Sequence, residues 1–214
     1  MDSQMKGAAT LAERPDFAAI AGWVQPNSSV LDLGCGDGEL LRHLERTRAI
    51  RGYGVEIEDE HVIACVAAGV NVIQSDLEAG LAWFDAGTFD YVILSQTLQA
   101  VRHTERIVEE MLRVGREVIV TFPNFGYWRM RLQVVRDGRM PVTRTLPYQW
   151  YDTPNVHLFT IRDFEDFCTS HSIRILERVA LHEGGRIALL PNLLGSLAVY
   201  RIQRRNTFAA ATPA

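Results

Sequence analysis

Val30-Leu31-Asp32-Leu33-Gly34-Cys35-Gly36-Asp37-Gly38-Glu39-Leu40-Leu41 reads as a buried strand that breaks into a glycine-rich turn and reopens as a helix. Gly34, Gly36 and Gly38 let the backbone turn tightly at positive φ and approach a ligand with no Cβ in the way. The N–H groups that follow lie at a helix N-terminus, which favours a polar or anionic ligand. The spacing is G-x-G-x-G, with Glu39 where a dinucleotide fingerprint puts the last glycine of G-x-G-x-x-G. Turns and caps use glycine too, so the whole strand–acid–glycine–helix string, and not the trio, marks a ligand loop.

Outward from that loop the chain alternates between strand and helix patterns. Pro15 suits the first turn of a helix, Phe17, Ile20, Trp23 and Val24 follow at helical spacing, and Pro26 with Asn27 stops it. Strands are expected at 28–33, 52–57, 70–74, 89–95 and 117–122. Helices are expected after the loop, where Leu40, Leu41 and Leu44 share a face, at 59–68 before Gly69, and at 103–113. With two later strands at 173–180 and 197–202, the pattern predicts an α/β fold. Its core is a single doubly wound, mostly parallel seven-stranded sheet with right-handed crossovers. Residues 123–158 are rich in Pro, Arg, Tyr and Trp without clear alternation, and read as a lid insertion after strand 5. Thr160 and Asp163 form a cap that reopens a helix. Residues 1–12 are expected to be a flexible tail, 13–203 one domain, and 204–214 a disordered tail.

Composition narrows the function classes. The 214 residues suffice for one domain with a sizeable core, and no apolar run approaches the roughly 20 residues that span a bilayer. No secretory leader pattern is visible. Cys35, Cys65 and Cys168 are odd in number and form no C-x-x-C pair, which points to a reducing cytoplasm and away from zinc. The histidines are scattered without an H-x-x-x-H pair, so no metal is expected. A formal charge of −4 argues against nucleic acid as a general partner. Arg129, Arg131, Arg136, Arg139 and Arg144 cluster around the single acid Asp137. They form either a solvated face or a docking surface for carboxylate or phosphate groups.

The residues that carry chemistry fall at strand carboxyl ends, where such sheets bind ligands. Glu56 lies 18 positions after Gly38, where a carboxylate can accept the two hydroxyls of a ribose. Asp76 could accept from an adenine amino group, and turn formation is its alternative. Asp32 would orient the loop or meet a ligand's ammonium, and Cys35 reads as a small loop residue and not a nucleophile. Ser95 and Gln96 end the fourth strand, where a transferable group would lie. An acid followed by G-x-G-x-G looks like the S-adenosylmethionine loop of class I methyltransferase folds. On that likeness the ligand-contacting set is Asp32, Gly34, Cys35, Gly36, Gly38, Glu56, Ile57, Asp76, Leu77, Ser95 and Gln96. A nicotinamide or flavin site is disfavoured because the third glycine falls one position early. No Asn-Pro-Pro-Tyr or Asp-Pro-Pro-Tyr motif marks an amino-nitrogen acceptor, so whether the chain is an enzyme is left open. The candidate bases are His157, whose alternative is a structural histidine, and Tyr127. The aromatic residues of the insertion could stack on a ligand or pin the insertion as a hydrophobic cluster.

Three further strings are more discriminating: Asp90-Tyr91-Val92-Ile93-Leu94-Ser95-Gln96-Thr97-Leu98-Gln99, Phe122-Pro123-Asn124-Phe125-Gly126-Tyr127-Trp128 and Tyr151-Asp152-Thr153-Pro154-Asn155-Val156-His157-Leu158. With the glycine loop they resemble the MetW methionine-biosynthesis family over roughly residues 14–203. The resemblance implies a methyltransferase fold that binds S-adenosylmethionine or S-adenosylhomocysteine. It also implies an accessory or regulatory role beside homoserine O-acyltransferase. The competing expectation is an independent small-molecule methyltransferase.

Overall fold

The computed structural model describes residues 14–143 and 145–205. The expected N-terminal tail, residues 206–214 of the C-terminal tail and Arg144 lie outside the described residues. The chain begins with α1 (Pro15–Trp23), then β1 (Ser29–Leu33), α2 (Glu39–Arg48), β2 (Arg51–Glu56), α3 (Asp59–Ala67) and β3 (Val72–Gln74). It continues through β4 (Phe89–Ser95), α4 (Thr104–Val114), β5 (Gly115–Pro123), α5 (Trp128–Asp137) and α6 (Ile161–Ser170). The last elements are β6 (Ile173–His182), β7 (Gly185–Ile187), α7 (Pro191–Leu194) and β8 (Leu197–Arg204).

All eight strands join one sheet in the order β3-β2-β1-β4-β5-β8-β6-β7. The first five pair in parallel, and β8, β6 and β7 close the other edge in antiparallel fashion. Side chains alternate along each strand, and helices cover both faces, so both sets are apolar. Leu31, Leu33, Val92 and Leu94 pack with Ile107 and Met111 of α4 and Phe164 of α6. Val30, Tyr91 and Ile93 pack on the other face with Phe17 of α1, Leu41 of α2 and Cys65 of α3. The strand order reverses between β1 and β4, which opens a crevice at their carboxyl ends.

Two features depart from the expectation. The sheet has eight strands and not seven, because the turn at Glu183 and Gly184 folds the three residues of β7 back onto β6. A strand so short carries no readable alternation. Residues 123–158 are also less irregular than expected, since α5 forms there and ends at Gly138 with φ +60°. Trp128, Leu132 and Val135 recur there at i, i+4 and i+7, a helical spacing that the expectation passed over, and Met130 alone of the helix is buried.

Register brings Asp32 of β1 opposite Gly54 of β2. A Cβ at Gly54 would lie 2.4 Å from Cys35 Sγ in the glycine loop. Gly54→Ala is therefore expected to lose about 1–3 kcal/mol, the usual cost of overpacking. Adding Cys35→Ala should return part of it. Urea unfolding of the single and double variants checks this, and equal stabilities would show that the loop does not depend on this contact.

Candidate functional site

The glycine loop leaves β1 with Gly34, Gly36 and Gly38 all at positive φ, and Gly38 begins α2 at φ +77°. Its backbone is held by the end of β2. Val55 O accepts from the N–H groups of Gly34 at 2.8 Å and Cys35 at 3.1 Å. Glu56 Oε2 accepts from Gly36 N–H at 2.8 Å, and Oε1 accepts from Ile57 N–H at 2.8 Å and Glu58 N–H at 3.1 Å. A carboxylate oxygen accepts about two donors, so Oε2 is the atom with room for a ligand hydroxyl.

Asp32 is 2 % exposed, and its Oδ1 is buried without a hydrogen-bond partner. Burial pushes its carboxyl up from the ordinary 3.8 to about 7; the Arg14 guanidinium opposes this, while the Glu56 and Asp16 carboxylates add to it. Asp16 belongs to a cluster that the sequence reading missed. It takes two hydrogen bonds from Arg14, at 3.1 and 3.0 Å, and one each from Ser95 Oγ and Gln96 Nε2 at 3.2 Å. Thr121 of β5 completes the cluster through its hydroxyl, 2.9 Å from Gln96 N–H and 3.2 Å from Ser95 Oγ. Gln96 is held at φ +52°, a strained conformation for a residue with a side chain. Asp16 is fully buried in the first turn of α1, and no local pattern in the sequence marks it, since an acid in a first turn is ordinarily an exposed partner of the helix N-terminus.

The remaining expected residues fall in different places. Cys35 is buried with Sγ 3.8 Å from Cys65 Sγ, and burial raises both thiols, which suits a packing role. Asp76 is exposed and caps the turn at Leu77–Ala79 by accepting from Glu78 N–H at 2.8 Å. Its turn-forming role is thus realised, and Oδ2 faces no protein donor in that cap. Ile57 is exposed beside Glu56, while Leu77 packs on the core. His157 bonds through Nε2 to Arg102 O at 3.2 Å and lines a groove between α4 and α6, with His103 and His171. Tyr127 instead shares a cleft with Asp16 and Gln96. It also packs with Met130 and Leu146, so part of the aromatic insertion is a pinning cluster. Trp150 and Tyr151 stay 74 % and 71 % exposed.

Chemically, the crevice sets three carboxylates, Asp16, Asp32 and Glu56, against one guanidinium. That suits a ligand bearing positive charge and hydroxyl donors. Among the described residues, no group of three His, Cys, Asp or Glu side chains could hold a metal. No helix there is long and apolar enough to cross a membrane.

Comparison with solved structures defines the class. An S-adenosylmethionine-dependent methyltransferase from Mesorhizobium loti superposes with a TM-score of 0.67 at 16 % identity, covering 92 % of this chain and 99 % of that one. A methyltransferase of the same dependence from Archaeoglobus fulgidus gives 0.63 at 14 % identity, over 89 % and 92 % of the two chains. The [4+2]-cyclase SpnF gives 0.64 at 14 % identity, over 94 % and 85 %. The fold is that of the class I methyltransferases.

The family is narrower. The family model described as methionine biosynthesis protein MetW matches residues 14–202, and the chain belongs to that family. It is 38 % identical over 204 residues to the bifunctional methionine biosynthesis protein MetXA/MetW of Rhodopirellula baltica, covering 89 % of this chain. The chain spans 33 % of the length of that relative.

The raised Asp32 pKa has a pH signature. Between 3.8 and about 7 the folded chain holds a proton that the unfolded chain has released, so folding stability falls as pH rises through this window. Every tenfold difference in proton affinity between the two states is worth about 1.4 kcal/mol. Asp32→Asn cannot ionise, so its melting temperature should exceed that of the wild type at pH 8 and match it near pH 4. Parallel melting curves at both pH values would dismiss the buried, unpaired carboxylate.

Proposed function

We propose that this chain binds S-adenosylmethionine, or S-adenosylhomocysteine, and serves methionine biosynthesis as an accessory or regulatory partner of homoserine O-acyltransferase. The observation that carries the ligand is the unpartnered Asp32 carboxylate, buried beside the glycine loop. A ligand ammonium would satisfy it, and the surplus of acid would suit a sulfonium cation. The glycine loop would approach the ligand's amino-acid end, Glu56 Oε2 a ribose hydroxyl, and Asp76 the adenine. Ile57 and Leu77 flank that end, and Ser95 and Gln96 border the sulfur. When bound, the ligand supplies a methyl group on sulfur. Three free, buried thiols fit a reducing cytoplasm.

Support for the partner comes from the relative whose name joins MetXA and MetW in one protein. On this chain, α5 offers a mixed surface for it. Arg129, Arg131 and Arg136 on the helix and Arg139 just after it are exposed beside Leu132, Val134 and Val135, the last 83 % exposed. Exposed apolar residues rimmed by charge mark interaction sites. The insertion carrying α5 would act as the lid between ligand and partner.

Isothermal titration should show binding of S-adenosylhomocysteine to the wild type. Glu56→Ala should lose about 1.5–3 kcal/mol of it, or roughly tenfold to a hundredfold. Because Glu56 also holds the loop, the variant's melting curve is recorded alongside. Silence of the wild type at millimolar ligand refutes the ligand reading.

The partner surface has its own check. Arg136→Glu with Arg139→Glu should slow association with the acyltransferase and weaken its salt dependence, because rim charges steer encounter. Unchanged association rates in the folded double variant would move the docking surface off α5.

A further inference from the structure

Tyr127 is held in place with unusual completeness. Asn124, fully buried between β5 and α5, donates through Nδ2 to Asn192 O at 3.0 Å and Gly195 O at 2.7 Å. Its Oδ1 accepts from Gly126 N–H at 3.0 Å and Ile161 N–H at 3.2 Å. The turn that presents Tyr127 is thereby tied to α6 and α7 at once. A Cβ at Gly126 would lie 2.9 Å from the backbone carbonyl oxygen of Asn192, which cannot rotate away, so the turn favours glycine there.

Beyond Tyr127 runs a chain of hydrogen bonds whose direction is set from its far end. Leu181 O can only accept, and it takes the Ser196 hydroxyl proton at 3.3 Å. With that proton so placed, Ser196 Oγ, 3.2 Å from His182 Nδ1, accepts from Nδ1–H. In that tautomer His182 Nε2 carries the lone pair and accepts from Tyr127 O–H at 3.2 Å, while Glu183 Oε1, 3.9 Å from the same nitrogen, favours the opposite one. Tyr127 thus spends its proton inward, and the lone pairs of its oxygen remain for another donor. Tyr127, His182 and Ser196 line a cleft of 910 Å³ that also takes in Asp16 and Gln96, at the ligand crevice. Gln133 lines the same cleft with its Oε1 buried and unpartnered, a second acceptor in want of a donor.

We infer that this cleft is an acceptor subsite for a small hydroxyl-bearing molecule, with Tyr127 as the catalytic proton acceptor and His182 and Ser196 as positioning residues. The inference rests on the ligand reading above only for the methyl donor. In the step, the acceptor oxygen attacks the methyl carbon, a C–O bond forms and the S–CH₃ bond breaks with its electron pair left on sulfur. The hydroxyl proton passes to Tyr127 Oη as the Tyr127 proton moves to His182 Nε2. The products are a methyl ether, the neutral thioether and an imidazolium that later loses its proton to water.

The test uses the full chain with ¹⁵N-labelled histidine and two probes, 3-hydroxypropionate and 3-methoxypropionate, which share charge and oxygen count and differ in the O–H. The His182 signals, identified by their loss in His182→Gln, should report the Nδ1–H tautomer in the neutral ring. They should move on titration with the hydroxy probe and respond roughly tenfold more weakly to the methoxy probe, the scale of one hydrogen bond. Tyr127→Phe, checked for an intact fold by its melting curve, should abolish that preference. An Nε2–H tautomer, equal response to both probes, no response up to 100 mM, or a preference that survives Tyr127→Phe would each overturn the inference. Failure of the wild type to bind S-adenosylhomocysteine would remove the methyl donor while leaving the tautomer and probe results to stand or fall separately.

Discussion

Three backbone N–H groups converge on the Glu56 carboxylate, and the site hangs from that convergence. A loop with left-handed residues at Gly34, Gly36 and Gly38 makes few bonds of its own and would sample many shapes. The end of β2 removes that freedom, because Val55 O and Glu56 between them hold the N–H groups of Gly34, Cys35 and Gly36. Parallel pairing of Leu33 with Val55 puts the two carboxyl ends level, and Gly54 lets Cys35 pack against the strand. The loop is thus shaped by the protein alone, which would lower the ordering cost of binding a ligand there.

The same crevice concentrates like charge where stability alone would avoid it. Asp16, Asp32 and Glu56 are all buried, and Arg14 compensates chiefly Asp16. An unpartnered buried carboxylate is expensive, and it persists here at the end of a strand whose other side chains lie in a close-packed core. Gln96 adds a strained backbone, held by Thr121 and Asp16. Cost and strain gathered at one end of an otherwise consistent fold are the usual mark of a working site.

The antiparallel half of the sheet does a different task. The β6–β7 turn and the start of β8 bring His182 and Ser196 beside Tyr127, while α5 leaves basic and apolar residues in solvent. One sheet therefore carries an acidic crevice, a polar cleft and an exposed helix on neighbouring elements. The likeness to methyltransferases and a cyclase at 14–16 % identity belongs to the scaffold, and function has to be argued from the particular side chains set on it.

The sequence by itself determined the parallel core and the glycine loop. Local patterns encode both: runs such as Val30–Leu33 and Phe89–Ser95 read as buried strands, and Gly34, Gly36 and Gly38 stand between such a strand with its acid and a helix. Family membership was legible too, in strings such as Phe122–Trp128. Asp16 was not legible, because nothing in Pro15-Asp16-Phe17 says that the side chain turns inward to Ser95 and Gln96. Neither was the short β7, because three residues carry no alternation, whereas the helical spacing of Trp128, Leu132 and Val135 in α5 was there to read. The links from Tyr127 to His182 and from Asn124 to Gly195 join residues 55 and 71 positions apart. Only the tertiary structure could decide them, because hydrogen bonds between distant segments depend on strand register and turn geometry, which no local pattern carries.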